Sequence, residues 1–375
     1  MEYKRLGDYI REVNVRNREL KVTNLVGLTI DKAFIPSVAN IIGTDLSNYK
    51  VIEKEQFACS LMQVSRDGKI PVAMFEEDAA IMSPAYPMFE VIDKTVLLPR
   101  YLMMWFSRKE FDREASFYAV GGVRGSLTWE DFCNMRLPVQ SIERQREIVA
   151  EYETLACRIR LNEQMIAKLE ETAQALYRKM FVDGVDKENL PEGWRKGYLT
   201  DIAIYLNGIA CQKYETKEES YLKVLKIREL SQGCCDDNSD HVEITIPKEY
   251  IVNNGDVIFS WSATLFIDFW CGGRCALNQH LFKVTSEKFP KWYYYLWTKY
   301  HIAEWKRLIS AKATSMGHIK REDLESAEVI IPSSSSMKEF DETMNPIFDT
   351  YILKKQENLK LTELQSLLLA RMGKK

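Results

Sequence analysis

The chain has 375 residues, 46% of them hydrophobic and 28% charged, and 51 Lys+Arg set against 54 Asp+Glu give a formal net charge of −3. That is the composition of an ordinary globular protein of two or three domains, which excludes a disordered, collagenous or disulfide-scaffolded chain. No apolar run reaches the ~18 residues that a membrane-spanning helix needs, and no segment is basic enough to attract nucleic acid by net charge alone.

The opening, MEYKRLGDYIREVNVRNREL, is too charged for a signal peptide, so a cytoplasmic location is expected. Eight cysteines without scaffold spacing read as free thiols. Residues 1–140 form a first module. Within it Leu46–Val64 is rich in β-branched and aromatic residues and runs into Ser65-Arg66-Asp67-Gly68-Lys69, where Asp-Gly signals a hairpin. Ile81–Ile92 reads as strand, broken by Pro84 and Pro87, and Pro99 opens a helix that runs on through Arg100–Tyr118. Next comes Gly121-Gly122-Val123-Arg124-Gly125-Ser126. Glycines let a backbone approach a ligand closely, and an arginine held among them can reach a phosphate or a guanine edge. Arg124 and Ser126 in this loop, with Arg66 and Lys69 at the hairpin tip, are the candidate DNA contacts of this module. For each of them a solvated surface turn is the competing reading.

A helix is expected over Ser141–Phe181. Ile148, Tyr152, Leu155, Ile159, Asn162, Ile166, Leu169, Ala173, Leu176 and Met180 are spaced alternately four and three apart, a heptad seam sustained over more than four repeats. At ~1.5 Å per residue it is roughly 50 Å long, and it needs a partner helix. Residues 182–194, VDGVDKENLPEGW, have no periodicity and read as a linker.

Residues 195–332 form a second module. Leu199–Asn207 is apolar and precedes Gly208, Tyr221–Leu230 alternates like a strand, and Asn254-Gly255 is a type I′ hairpin signal inside Ile251–Trp261. Trp292–Trp305 is an aromatic-rich helix after Pro290. Residues 310–318 then stand where the Gly-Arg-Gly loop stood. Lys312, Thr314, Ser315 and His318 are small polar or basic groups suited to phosphates and base edges, with a solvated loop again the competing reading.

Residues 333–375 supply the partner helix. Its seam is Phe340, Met344, Ile347, Tyr351, Lys354, Asn358, Leu361, Gln365, Leu368 and Met372, each 192 positions after its counterpart. Lys354, Asn358 and Gln365 either fix register as polar seam residues or yield to a drift that turns Leu353 and Leu364 inward. Leu161, Gln164, Lys168, Leu169, Glu171, Leu176 and Met180 recur unchanged as Leu353, Gln356, Lys360, Leu361, Glu363, Leu368 and Met372. Outside the helices Leu6-Gly7-Asp8 answers to Leu199-Thr200-Asp201, Phe89-Glu90-Val91 to Phe282-Lys283-Val284, and Glu130-Asp131-Phe132 to Glu322-Asp323-Leu324. Leu137-Pro138 answers to Ile331-Pro332. One unit, a globular module followed by a long helix, is written twice. The linker, at most about 40 Å long, is shorter than the helix before it, so the helices are expected to pair antiparallel with the modules at opposite ends. The fold class is therefore α+β: two modules of mixed sheet and helix, each followed by a long helix, the two helices forming an antiparallel coiled coil.

Phosphate-loop, dinucleotide, zincin and nucleophile-elbow motifs are absent, as is the Asn/Asp-Pro-Pro-Tyr/Phe signature of an aminomethyltransferase. Cys271, Cys275 and His280, with Cys234 and Cys235 upstream, lack the paired spacing of a zinc site. No catalytic residue and no metal ligand is assigned.

Two differing modules, each followed by a similar long helix, resemble the specificity subunit of type I restriction–modification systems. Tyr3-Lys4-Arg5-Leu6-Gly7-Asp8-Tyr9-Ile10, Leu190-Pro191-Glu192-Gly193-Trp194, and Leu137-Pro138 before Gln145-Arg146-Glu147-Ile148-Val149 are similar to the family's module boundaries. The second copy departs from this pattern, since Pro332 is followed by four serines and Met337-Lys338-Glu339-Phe340. That puts the strength of its helix start in doubt.

The resemblance implies that each module is a target recognition domain for one half of an asymmetric bipartite DNA sequence, with the helices as a spacer. Half-sites about one DNA turn apart, roughly 34–36 Å, lie within the reach of such a pair. It implies two methyltransferase subunits as partners, two restriction–translocase subunits in restriction-competent complexes, and no cofactor on this chain. S-adenosylmethionine, ATP and Mg²⁺ would belong to those partners. Lys168, Glu171, Lys360 and Glu363, identical in both copies and off the seam, are candidates for docking them, although good helix formers would also be found there. The alternative function is a tandem-module protein scaffold that does not read DNA, and a hydrolase with an unfamiliar site ranks third.

Overall fold

A computed structural model describes residues 3–38, 43–62, 64–119, 125–311 and 319–373. The chain divides into two compact units, Met1–Arg158 with Thr362–Lys375, and Ile159–Leu361.

In the first unit, Tyr3–Arg5 pairs antiparallel with Arg136–Pro138, joining the start of the module to its end. The central sheet is antiparallel, in the order Ile10–Glu12, Met88–Val91, Phe57–Cys59, Val72–Met74. A smaller pair, Lys50–Glu53 with Ala79–Met82, lies outside it, and Leu25 bridges Ile81 in parallel. Helices Pro99–Phe106 and Trp129–Asn134 close a core of Phe57, Phe89, Phe106, Phe111 and Phe132. Phe57 and Phe89 face each other in register and stack at 5.0 Å. Ends of both long helices join this core through buried Ile148 and Met372.

The second unit repeats the plan. Arg195–Tyr198 pairs with Glu328–Ile331, and the sheet order is Ile204–Asn207, Leu281–Thr285, Val257–Ser260, Phe266–Phe269. Phe259 faces Phe282 as Phe57 faces Phe89. Tyr221–Leu225 runs parallel to Cys275–Leu277, the position of the Leu25–Ile81 bridge. Local hydrogen bonds recur as well. Leu6 N donates to Met135 O (2.8 Å) and Leu199 N to Ala327 O (3.0 Å). Tyr101 donates its hydroxyl to Pro138 O (3.0 Å) and Tyr293 to Ile330 O (2.5 Å). A shared scaffold with exchanged residues is what a duplicated sequence would produce.

Several local expectations change. Asn254-Gly255 is not the tip of a hairpin, because Ile251–Val252 pairs with Cys275–Leu277 while Val257–Ser260 pairs with other strands. Instead the chain turns there between two sheets, with Gly255 at φ +82° and Asp256 Oδ2 accepting from Asn253 N at 2.9 Å. The first unit makes the same turn with Glu55 at φ +66° and Gln56 Oε1 accepting from Glu53 N at 2.9 Å. Asp67-Gly68 does lie between paired strands, but Val64–Asp67 winds into a helical turn that Gly68, at φ +65°, terminates. The helix after Pro99 breaks at Ser107-Arg108 and resumes as Lys109–Ala119. Tyr221–Leu230 is a strand only to Leu225, and Ile227–Gln232 is helical.

The long helices span Ile142–Phe181 and Ser334–Arg371. Within the second unit they run antiparallel, since Asn162 Nδ2 donates to Asn358 Oδ1 (2.8 Å) and Phe181 meets Phe340 at 5.3 Å. Asn358 therefore stands in the seam as a polar pair, and Leu353 and Leu364 stay 59% and 50% exposed. The second helix starts without Gln145's equivalent. Gln145 is buried and bonds Leu98 N and the carbonyls of Val96 and Gln140. In its place Asp341 accepts from Trp292 Nε1 at 2.7 Å, and Ser333 Oγ accepts from Ser336 N as a helix cap. The serine run strengthens the start that the sequence left in doubt.

Candidate nucleic-acid interface

In the first unit, residues 60–71 cross from strand Phe57–Cys59 to strand Val72–Met74, and the chain returning from the Pro99 helices is fastened to that crossing. Leu127 N donates to Leu61 O at 2.9 Å, and Ser65 Oγ donates to Gly125 O at 3.4 Å. Gly125 has φ +70°, and a Cβ placed on it would lie 1.9 Å from Ser65 Oγ. Only glycine fits this approach. Asp112 completes the cluster by accepting from Ile70 N (3.1 Å) and pairing with Lys32 at 2.8 Å. Burial pulls the Lys32 ammonium below its ordinary pKa, against the opposing bond from Asp112.

The structure thus brings Arg66, Lys69 and Ser126 into one loop cluster. Arg66 is bidentate with Asp67 (2.7 and 3.1 Å), a bond that raises the guanidinium pKa and lowers that of Asp67. Lys69 pairs with Asp31 at 3.0 Å. Arg66, Lys69 and Asp31 are exposed and Asp67 is partly exposed, and ion pairs at a surface add little stability, so exchanging the carboxylate for a phosphate costs little. Arg124 lies outside the described residues. Phe117 and Tyr118 are exposed at the end of Lys109–Ala119. The buried face is Phe111, Ala115 and Ala119, the i, i+4 spacing that could have assigned them.

The second unit fastens its loop at the equivalent place, with Ile319 N donating to Trp261 O at 3.0 Å. Lys312, Thr314, Ser315 and His318 lie outside the described residues. Sequence reasoning missed a cavity that the described residues form. Trp261, Asn207, Phe282, Lys320 and Arg321 line an open cavity of about 730 Å³. Trp261 Nε1 donates to Asn207 Oδ1 at 3.1 Å, which places an indole beside a carboxamide at the end of an edge strand.

On the long helices Lys168 and Glu171 are exposed and pair with each other at 2.7 Å, raising the lysine's pKa and lowering the glutamate's. Lys360 and Glu363 are exposed too. Among the described residues no three ligating side chains converge on a metal position. The buried Cys271 thiol, pushed up to about 11 by desolvation, lies 3.8 Å from Ile352 O. No helix among the described residues is long and apolar enough to cross a membrane.

The fold defines a protein of two α+β modules, each followed by a long helix, with the same sheet order in both. Residues 191–363 match the model of the type I restriction modification DNA specificity domain. The type I restriction enzyme MjaIX specificity subunit of Methanocaldococcus jannaschii is 22% identical over 303 residues, 75% of this chain and 70% of its own. The crystal structure of a type I restriction-modification system S subunit from M. genitalium matches 100% of this chain and 96% of its own, at 9% identity and TM-score 0.59. An HsdS subunit from Thermoanaerobacter tengcongensis aligns over 99% of this chain and 96% of its own, at 17% identity and TM-score 0.36. The chain is thus similar over residues 191–363 to the type I restriction modification DNA specificity domain, and over three quarters of its length to a type I specificity subunit.

Proposed function

We propose that this chain selects the DNA sequence for a type I restriction–modification complex and acts by binding, not by catalysis. Residues 1–140 and 195–332 would be its two target recognition domains, joined by the linker 182–194, with spacer helices over 141–181 and 333–375. Each domain would read one half of an asymmetric gapped target. The observation that carries this reading is a hydrogen bond repeated on a frame that both units share, Leu127 N to Leu61 O and Ile319 N to Trp261 O, next to sequences that differ between the units. A frame kept while its loops differ is suited to reading two different half-sites. Methyltransferase subunits, with S-adenosylmethionine, would supply the chemistry, docking on the exposed helix faces that carry Lys168, Glu171, Lys360 and Glu363. Restriction subunits would bring ATP and Mg²⁺.

The test is co-expression with the neighbouring methyltransferase, followed by mapping of adenine methylation across host DNA. One gapped motif methylated in both halves is expected. A stable complex that adds no motif would overturn the reading in favour of a protein scaffold. Arg124→Ala is expected to weaken binding through one half-site and Lys312→Ala through the other.

A further inference from the structure

We infer that Trp261 and Asn207 form a base-reading couple of the second unit, matched to the major-groove edge of thymine. The inference rests on the DNA-targeting reading above. Asn207 is exposed at the end of Ile204–Asn207, an edge strand of its sheet. Its Oδ1 is occupied by the Trp261 indole N–H, and its Nδ2 donates to none of the described residues. The bond fixes the carboxamide so that it offers outward two hydrogen-bond donors, next to the apolar edge of a half-exposed indole. Thymine presents an O4 acceptor next to a C5-methyl group in the major groove, the complement of a donor beside an apolar surface.

The surroundings fit a duplex. Lys320 and Arg321 line the same cavity, and both are exposed. Among the described residues Arg321 is partnered only by Glu325, within its own helical turn, at 3.2 Å. Such cations can hold flanking phosphates, which position a reader without specifying a base. The couple is peculiar to this unit. By sheet register, Asn207 faces Phe282 as Glu12 faces Phe89 in the first unit. There an exposed carboxylate, an acceptor, stands in the donor's place.

The experiment uses the complex with its methyltransferase and duplexes carrying the mapped motif, each thymine in turn replaced by uracil, which removes only the methyl group. For the wild-type complex a loss of about 3- to 10-fold in affinity is expected at one thymine of one half-site, and none elsewhere in that half-site. Trp261→Ala should weaken binding to the thymine duplex and abolish the difference between thymine and uracil at that position. Asn207→Asp keeps an acceptor for the Trp261 N–H but removes the outward donors. It should cost about 10-fold or more in affinity with an unchanged melting temperature, so it remains informative if Trp261→Ala fails to fold. A motif that maps while uracil is tolerated throughout, or an Asn207→Asp complex with full affinity, overturns the couple and leaves the targeting reading intact. Failure of the wild-type complex to give any motif overturns both.

Discussion

The contacts that set the candidate interface are close approaches and burial, as at Gly125 against Ser65. Gly125 could be singled out as a loop glycine, but its need for φ +70° against Ser65 follows from a crossing sixty residues away. Gly125→Ala should cost the first unit about 1–2 kcal/mol for placing a side chain in the left-handed region. Urea titration should show a lower midpoint with an unchanged slope. Arg66 and Lys69 were legible as tip cations, whereas their partners Asp67 and Asp31 were not, because pairing depends on how two loops meet. Asn207 and Trp261 escaped notice for the same reason: they are 54 positions apart, with no motif linking them. His301 gives a pH prediction. Burial lowers its pKa below 6.5, opposed by the Glu328 carbonyl at Nε2 (2.8 Å) and Glu304 at Nδ1 (3.3 Å), while Lys187 lowers it further. Below pH 6.5 the unfolded chain therefore binds a proton that the folded chain resists. The stability this neutral imidazole contributes is complete above 6.5 and lost as pH falls through the depressed folded value. Melting temperatures of the second unit should drop on acidification from about pH 7.5 to 5.5, and less steeply in His301→Gln.

At the scale of elements, the periodic parts were legible and the irregular ones were not. The heptad spacing placed both long helices to within a residue or two at their starts, because a seam sustained over many turns can be buried in only one way. Strand boundaries near Gly255 were misread, since Asn-Gly favours any turn with positive φ and does not say which strands pair beyond it. The polar seam offers a test at this scale. Asn162 is 2% exposed, and its Nδ2 bonds Asn358, whose own amide reaches Ile159 O at 3.3 Å. Asn162→Leu would leave Asn358 facing apolar surface and should destabilise the second unit by about 1–3 kcal/mol. The double variant Asn162→Leu/Asn358→Leu should recover most of that loss or exceed the wild type, because the Asn358 Oδ1 that lost its Asn162 donor is gone. A double-mutant cycle in urea reads the coupling directly, and additive single effects would show that the pair does not set the register.

At the scale of the whole molecule, the duplication was legible from identities such as Lys168 with Lys360 and Glu171 with Glu363, and the sheet orders of the two units repeat it. A net charge of −3 on 375 residues supplies no general attraction to a polyanion, so any affinity must come from local cations such as Arg66, Lys69, Lys320 and Arg321. Each phosphate neutralised contributes a slope of about −0.9 in log K against log salt. With two or three such cations per unit, the isolated chain should bind duplex DNA weakly, with a slope of roughly −3.6 to −5.4. Carboxylates beside Arg66 and Lys69 compete with the phosphates and would push the slope towards the smaller value. A complex in which methyltransferase subunits close around the same duplex should bind more tightly and depend more steeply on salt, because their phosphate contacts add to those of this chain. Fluorescence anisotropy of a labelled duplex at several salt concentrations, with and without the partner, measures both slopes. Equal slopes would mean that this chain makes all the backbone contacts itself and that the partner adds none.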